Sequence, residues 1–248
     1  MCTLVLLRRP GHDWPLLLAG NRDEMADRPW LPPGRHWPLA PDVIAGQDLV
    51  GEGSWLGLNE HGVTACLLNR TGSLGPAPGK RTRGELVLLA LDYADAADAA
   101  LALERLNPRA YRPFNLVIAD NRDALWLRAD GRGLQSQPIP EGLSMLTAGE
   151  LNDLGDPRIG AFLPRFRSTA VPEPALGDWR CWQALLGERA SPQSGDPESG
   201  LTFQTDSGFC TGSSALIALP GMHRSGVKPC FLFAAGPPDR TAFFPLLL

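Results

Sequence analysis

No stretch of this chain approaches the ~18 consecutive apolar residues expected of a membrane-spanning helix, and residues 4–7 are too short and wrongly flanked for a signal-peptide core. A basic excess is missing too. The 23 Lys and Arg against 27 Asp and Glu give a formal net charge of -4, which argues against nucleic acid or an anionic membrane as the main partner, because both recruit basic surfaces. A small molecule is the expected partner. Paired cysteines are also lacking: Cys2, Cys66, Cys181, Cys210 and Cys230 are odd in number and scattered, with no CxxC pair and no histidine spaced for zinc. Structural disulfides and a metal site are therefore not expected, and the expected location is cytoplasmic.

Glycine and proline are abundant, at 27 and 24 of 248 residues, and with 44% hydrophobic and 20% charged residues they describe a turn-rich globular chain. Such a chain favours strands. Residues 1–248 are read as one domain. Apolar runs at 3–7 and 16–19 flank Pro10-Gly11-His12-Asp13 and read as a hairpin. Its second strand delivers the chain into Gly20-Asn21-Arg22-Asp23-Glu24, a polar cluster that antiparallel pairing sets beside Cys2. Residues 54–59 and 63–69 read as a second hairpin around Glu60-His61-Gly62. The Gly/Pro-rich basic loop 70–83 follows; Gly79-Lys80-Arg81-Thr82 within it lacks the upstream glycine spacing of a phosphate loop.

Leu and Ala at helical spacing over 84–94 and 95–106 predict a helix pair that ends at Asn107-Pro108. Strands are expected at 114–119, 125–128, 145–149, 213–219, 230–235 and 241–246, with helices from Pro157 and over 179–186. The Ser/Pro/Gly-rich stretch 190–200 reads as an excursion from the fold.

Cys2 directly follows the initiator methionine, and a side chain this small permits methionine removal. The chain would then begin with a thiol and a free α-amine on one carbon. The amine has an ordinary pKa of about 7.7–8.0 against about 8.5 for the thiol, so the two exchange a proton near neutrality. A nucleophile activated by an N-terminal amine is an established route to covalent catalysis. Arg22 is placed to favour the thiolate, and Asp23 to hold the α-ammonium by a charge-assisted hydrogen bond. The competing reading makes Cys2 the small first residue of a buried strand and residues 21–24 a solvated turn.

Met1-Cys2-Thr3, Asn21-Arg22-Asp23-Glu24 and Arg28-Pro29 together resemble the signature of the NRDE family, also called the transport and Golgi organisation 2 family. Gly53-Ser54-Trp55-Leu56-Gly57, Arg83-Gly84-Glu85-Leu86 and Phe114-Asn115-Leu116-Val117-Ile118-Ala119-Asp120 continue the resemblance in order along the chain. The family in turn resembles N-terminal nucleophile (Ntn) hydrolases of the choloylglycine hydrolase and penicillin V acylase type. The resemblance implies an α+β fold, a four-layer αββα sandwich of two antiparallel sheets flanked by helices.

It further implies Cys2 as nucleophile, supported by Arg22 and Asp23. The stretch 57–69 is similar to the acylase segment ending in an oxyanion-hole asparagine, which places Asn69 there, although Asn at a strand end is also ordinary turn chemistry. Asn152 either corresponds to a second oxyanion residue or caps the following helix. Relatives carry Thr-Arg-Ser where this chain has Thr211-Gly212-Ser213, so the distal arginine is missing. The implied activity is amidohydrolysis of a small acyl amide or thioester without a cofactor. The alternative is a non-catalytic carrier or chaperone for haem or an acyl-CoA-like lipid. None of His12, His36, His61 and His223 lies in a haem-ligand motif.

Overall fold

A computed structural model describes residues 2–190 and 196–247, and the chain divides into two compact units, Met1–Asp27 with Pro140–Leu247, and Arg28–Ile139. The first unit is built on strands β1 (Thr3–Arg8) and β2 (Leu16–Met25). Their hairpin register runs from Arg8↔Leu16 to Thr3↔Asn21. Hydrophobic residues fill both faces of the first half of β2, the pattern expected of a strand covered on both sides.

The polar cluster expected to follow this strand is instead part of it. β2 continues through Asn21, Arg22, Asp23 and Glu24 because a long partner, β11 (Phe209–Leu219), pairs along its whole length from Leu219↔Leu16 to Phe209↔Met25. Backbone groups that would need solvent in a turn are satisfied by the ladder.

In the second unit, β3 (Trp30–Gly34), β4 (Val43–Asp48), β5 (Leu56–Asn59), β6 (Thr64–Asn69), β7 (Phe114–Ala119), β8 (Ala124–Ala129) and β9 (Leu134–Pro138) form one seven-stranded antiparallel sheet in sequence order. Helices α1 (Glu85–Leu91) and α2 (Ala96–Leu103) bury Leu86, Val87, Ala90, Leu91, Ala99 and Leu103 against Ala65, Leu116, Ile118 and Leu127 of one face. Asp95 caps α2 through the N–H groups of Ala97 and Asp98, and the expected helix pair is present.

The first unit completes its sheet with β10 (Gly142–Leu146), β12 (Cys230–Ala234) and the two-residue β13 (Phe244–Pro245), in the order β10-β1-β2-β11-β12-β13. Helices α3 (Pro157–Ser168) and α4 (Arg180–Leu186) cover one face, where Val5, Leu17, Ala19, Met145 and Leu216 meet Ile159, Phe162, Phe166, Trp179 and Trp182. Strands β3, β4 and β9 were not expected. Prolines 32 and 33 and the polar run Gln135-Ser136-Gln137 hide them, and β3 and β9 are edge strands, where proline and polar residues are tolerated. The expected excursion over 190–200 lies in part outside the described residues.

Two of the sequence motifs meet backbone to backbone. A Cβ on Gly53 would lie 2.3 Å from the carbonyl carbon of Gly84, and Ser54 N–H donates to Gly84 O at 3.0 Å. This contact seats the start of α1 against the chain entering β5. Gly53→Ala is therefore expected to destabilise the protein by about 1–3 kcal/mol, as overpacking does, measured as a lowered denaturant midpoint at unchanged slope.

Arg28 also has a structural partner. Its Nε donates to Asp48 Oδ2 at 2.8 Å, while Oδ1 accepts from Val50 N and Gly51 N at 2.9 and 3.0 Å. Partial burial raises the Asp48 pKa, but the Arg28 bond and the two N–H groups outweigh it and hold the carboxyl below its ordinary range. A depressed carboxylate adds stability above its unfolded pKa and loses it as pH falls through the folded one. Arg28→Ala should cost about 1–2 kcal/mol at neutral pH. The difference from wild type should shrink below about pH 4, which paired urea titrations at the two pH values would check.

Candidate active site

Beyond Thr3 the backbone of β1 no longer pairs with β2, and the Cys2 sulfur takes over. Asp23 N–H donates to Cys2 Sγ at 3.4 Å, and the thiol donates to Asp23 O at 3.6 Å. A single side-chain atom thus satisfies both backbone groups of Asp23. Cys2 keeps some solvent exposure, although its sulfur is closely packed.

Strand alternation sorts the signature between two faces. Asn21 and Asp23 point toward the helices. Asn21 Nδ2 donates to Leu186 O at 3.0 Å and Leu201 O at 2.7 Å, and its Oδ1 accepts from Ser214 Oγ at 2.7 Å. Asn21 therefore ties the end of α4 to the sheet. The fully buried Asp23 carboxylate accepts from Thr211 Oγ1 at 2.8 Å through Oδ1 and from Arg158 Nη1 at 3.0 Å through Oδ2.

Arg22 and Glu24 lie on the opposite face, with Nη2 and Oε2 3.8 Å apart and Arg22 only 7% exposed. Register places Ser213 beside Arg22, after a bulge at Gly212. Ser213 Oγ is a buried hydroxyl with no hydrogen-bond partner among the described residues. The position at which relatives were expected to carry arginine is this bulge.

Sequence reasoning missed Arg158, the second residue of α3. Besides Asp23 it reaches Thr3 Oγ1 at 3.3 Å, and its Nε donates to Glu198 O at 2.6 Å. Its guanidinium lies 4.8 Å from the Phe203 ring centroid, a cation–π contact. A signal was available: the buried residues of α3 are 158, 159, 162, 163 and 166, so an arginine opens an apolar helical stripe. An arginine there is buried and needs an anionic partner.

The expected lowering of the Cys2 thiol pKa is corrected for the chain that retains Met1. Burial raises it most and the Asp23 charge raises it further; the Asp23 N–H and Arg22 lower it, and the net shift is upward. Cys210, paired opposite Glu24, is likewise pushed up by burial and by Asp23.

Cys2, Arg22 and Asp23 are thus brought together. Asn152 is in the same unit but bound elsewhere. With φ at +58° it receives Met145 N–H on Oδ1 at 2.8 Å, donates its own N–H to Met145 O at 2.9 Å, and donates Nδ2–H to Ser144 Oγ at 3.1 Å. These bonds complete the edge of β10. Met145 pairs with Val5, three residues along β1 from Cys2, or about 10 Å at a strand's rise. The cap of α3 is Asp156, not Asn152: its side chain accepts from Arg158 N and Ile159 N.

Asn69 ends β6 in the second unit, opposite Phe114 and on the helix-covered face by alternation. The other face of that sheet carries the buried Asn115, whose Oδ1 accepts from Arg70 Nη1 at 2.8 Å and from Trp126 Nε1 at 3.1 Å. Trp55 lies over Gly46, where a Cβ would come within 2.4 Å of the indole, and packs edge-on to Trp30. All four histidines lie outside strands and helices. Among the described residues no cluster of three His, Cys, Asp or Glu side chains is placed to hold a metal, and no helix is long and apolar enough to cross a membrane.

The fold has counterparts among solved structures. An N-acylethanolamine-hydrolyzing acid amidase ortholog from Caenorhabditis elegans aligns with TM-score 0.57 and 13% identity, covering 98% of this chain and 100% of that one. A variant of the conjugated bile acid hydrolase from Clostridium perfringens gives 0.54 and 13% over 100% and 97%. Penicillin V acylase from Agrobacterium tumefaciens gives 0.51 and 14% over 95% and 83%. At these identities the likeness establishes the fold alone, the α+β sandwich of the Ntn hydrolases. No curated protein sequence matches the chain. The family model described as Transport and Golgi organisation 2 matches residues 1–155, well over half of the 248 residues, and the chain belongs to that family.

Proposed function

We propose that the protein is an Ntn-type amidohydrolase in which Cys2, exposed as the first residue by removal of Met1, attacks the carbonyl of a small acyl amide or thioester. The observation that carries this reading is the seat of the Cys2 sulfur on the Asp23 N–H, at the end of the first strand of an Ntn-hydrolase fold. Names of the structural neighbours, an amidase, a bile acid hydrolase and an acylase, agree with it.

In this mechanism the α-amine takes the thiol proton as sulfur adds to the carbonyl. Collapse of the tetrahedral adduct expels the amine or thiol leaving group, which takes that proton, and leaves a thioester on Cys2. Water, deprotonated by the same α-amine, then hydrolyses the thioester and frees the acid. Arg22 supplies positive charge beside the sulfur, and Asp23 fixes the backbone N–H against it.

A second reading starts from the close packing of the Cys2 sulfur, where burial and the Asp23 charge push the thiol pKa up. In that reading the protein is a carrier for haem or an acyl-CoA-like lipid, and Cys2 is a packing residue. Under both readings the partner is a small molecule, and a cytoplasmic location is proposed.

The purified protein should show an intact mass one methionine below that of the full chain. Brief iodoacetamide labelling at neutral pH should modify Cys2 about tenfold faster in this form than in a form engineered to retain Met1, because an ammonium on the same residue favours the thiolate. Equal rates would remove the amine from the mechanism.

Wild type incubated with a panel of acyl amides and thioesters should form a thioester on Cys2, detectable by peptide mass. Cys2→Ser should still bind the amide while its turnover falls by about 10³-fold or more. No adduct in wild type, together with tight binding of haem or acyl-CoA by both proteins, would replace the hydrolase reading with the carrier.

A further inference from the structure

The arginine absent from Gly212 has a counterpart on another element. The Asp23 carboxylate is fully buried, and its oxygens receive Thr211 Oγ1 from β11 and Arg158 Nη1 from α3. Asp23 is also the residue whose N–H and C=O hold the Cys2 sulfur. Displacement of the Asp23 backbone would break both sulfur contacts. Among the described contacts of the carboxylate, that with Arg158 is an ion pair.

Arg158 has its own restraints. It is the second residue of a helix whose start is set by the Asp156 cap and Pro157, its Nε is taken by Glu198 O, and its guanidinium carbon lies over the Phe203 ring. The same nitrogen that meets Asp23 reaches Thr3 Oγ1, on the residue next to Cys2. We infer that Arg158 is a positioning residue for Cys2: it holds the Asp23 carboxylate on the helix side of the sheet, keeps the Asp23 N–H on the sulfur, and compensates the Asp23 charge. The word positioning rests on the reading of Cys2 as nucleophile; the effect on the thiol does not.

Burial and the Asp23 charge both disfavour the Cys2 thiolate. Removing the cation that compensates Asp23 should disfavour it further. Among the described residues, the charged and ionisable groups around this end of the sheet include Arg22, Asp23 and Glu24 on β2, Cys210 on β11 with Arg240 near it, and Asp156 and Arg158 at the start of α3.

The test is the pH profile of Cys2 alkylation by iodoacetamide, resolved by peptide mapping on the full-length protein. Wild type, Arg158→Gln, Arg158→Lys, Asp23→Asn and the double variant Asp23→Asn/Arg158→Gln are compared, with near-UV circular dichroism confirming the fold of each. Arg158→Gln should move the midpoint up by about one pH unit, a tenfold loss of thiolate below the midpoint. Arg158→Lys, which keeps the charge, should give a smaller shift in the same direction.

The double variant should titrate with Asp23→Asn, because without the carboxylate there is no Asp23 charge for Arg158 to compensate. If Arg158→Gln does not fold, the lysine variant and the charge-free double variant carry the same comparison. Profiles that match wild type in every Arg158 variant overturn the proposal. So does an Arg158→Gln shift that persists in the Asp23→Asn background, which would mean direct action on the sulfur. Failure of the hydrolase reading, with no acyl adduct on Cys2, leaves these titrations intact, and flat titrations overturn the role of Arg158 even where an adduct forms.

Discussion

The contact on which this end of the molecule depends is the buried pair of Asp23 and Arg158, 3.0 Å apart and both essentially without solvent. Desolvating two charges is expensive, and such a pair is weak evidence of net stabilisation; breaking it by removing one partner costs about 3–5 kcal/mol, because the other is left buried and uncompensated. Its effect is therefore on arrangement more than on net stability. It fixes helix to sheet, and through the Asp23 backbone it fixes the sulfur. Thr211, on the carboxylate, and Thr3, on the guanidinium, share in the same network, so three strands and one helix meet at one ion pair.

The bulge at Gly212 belongs to the same arrangement. It lets Thr211 pair with Asp23 while Ser213 pairs with Arg22, so the Thr211 hydroxyl reaches the helix side and the Ser213 hydroxyl lies on the other. A Cβ at Gly212 would meet nothing closer than Arg22 O at 3.9 Å, so sterics do not demand glycine there. A buried guanidinium is present, but it arrives from α3, and it addresses the thiol through Asp23.

Much of this was legible in the chain. The first hairpin, the 114–119 strand and the helix pair follow from apolar periodicity, and the hairpin alone places Asn21 opposite Thr3. Cys2, Arg22 and Asp23 were identified as neighbours for the right reason, antiparallel pairing. The strand character of residues 21–24 was not legible, because it comes from β11, almost 190 residues away in sequence, and no local pattern encodes that partner. Arg158 carried a local sign, a cation opening an apolar stripe, but its target did not. The direction of the thiol shift was hidden for the same reason: it depends on how closely the sulfur is packed and on a carboxylate that faces the other way.

The chain contains its own control for the meaning of the signature. Asn121-Arg122-Asp123 repeats the first three residues of Asn21-Arg22-Asp23-Glu24, yet it lies in the turn between β7 and β8, where Asp120 Oδ1 accepts from Arg122 N and Asp123 N and the Arg122 guanidinium pairs with Asp95. There the side chains are at least partly exposed, and Arg122 ties the turn to the start of α2. At 21–23 the same three residues are clamped between β1 and β11 and forced into strand alternation, which sends Asn21 and Asp23 into the helix layer and Arg22 to the other face. Identity of the residues is the same in both places; neighbouring strands make the difference. The chemical meaning of the tetrapeptide therefore resides in the pairing that extends it, and Cys2 acquires its setting from that pairing and not from the four residues by themselves.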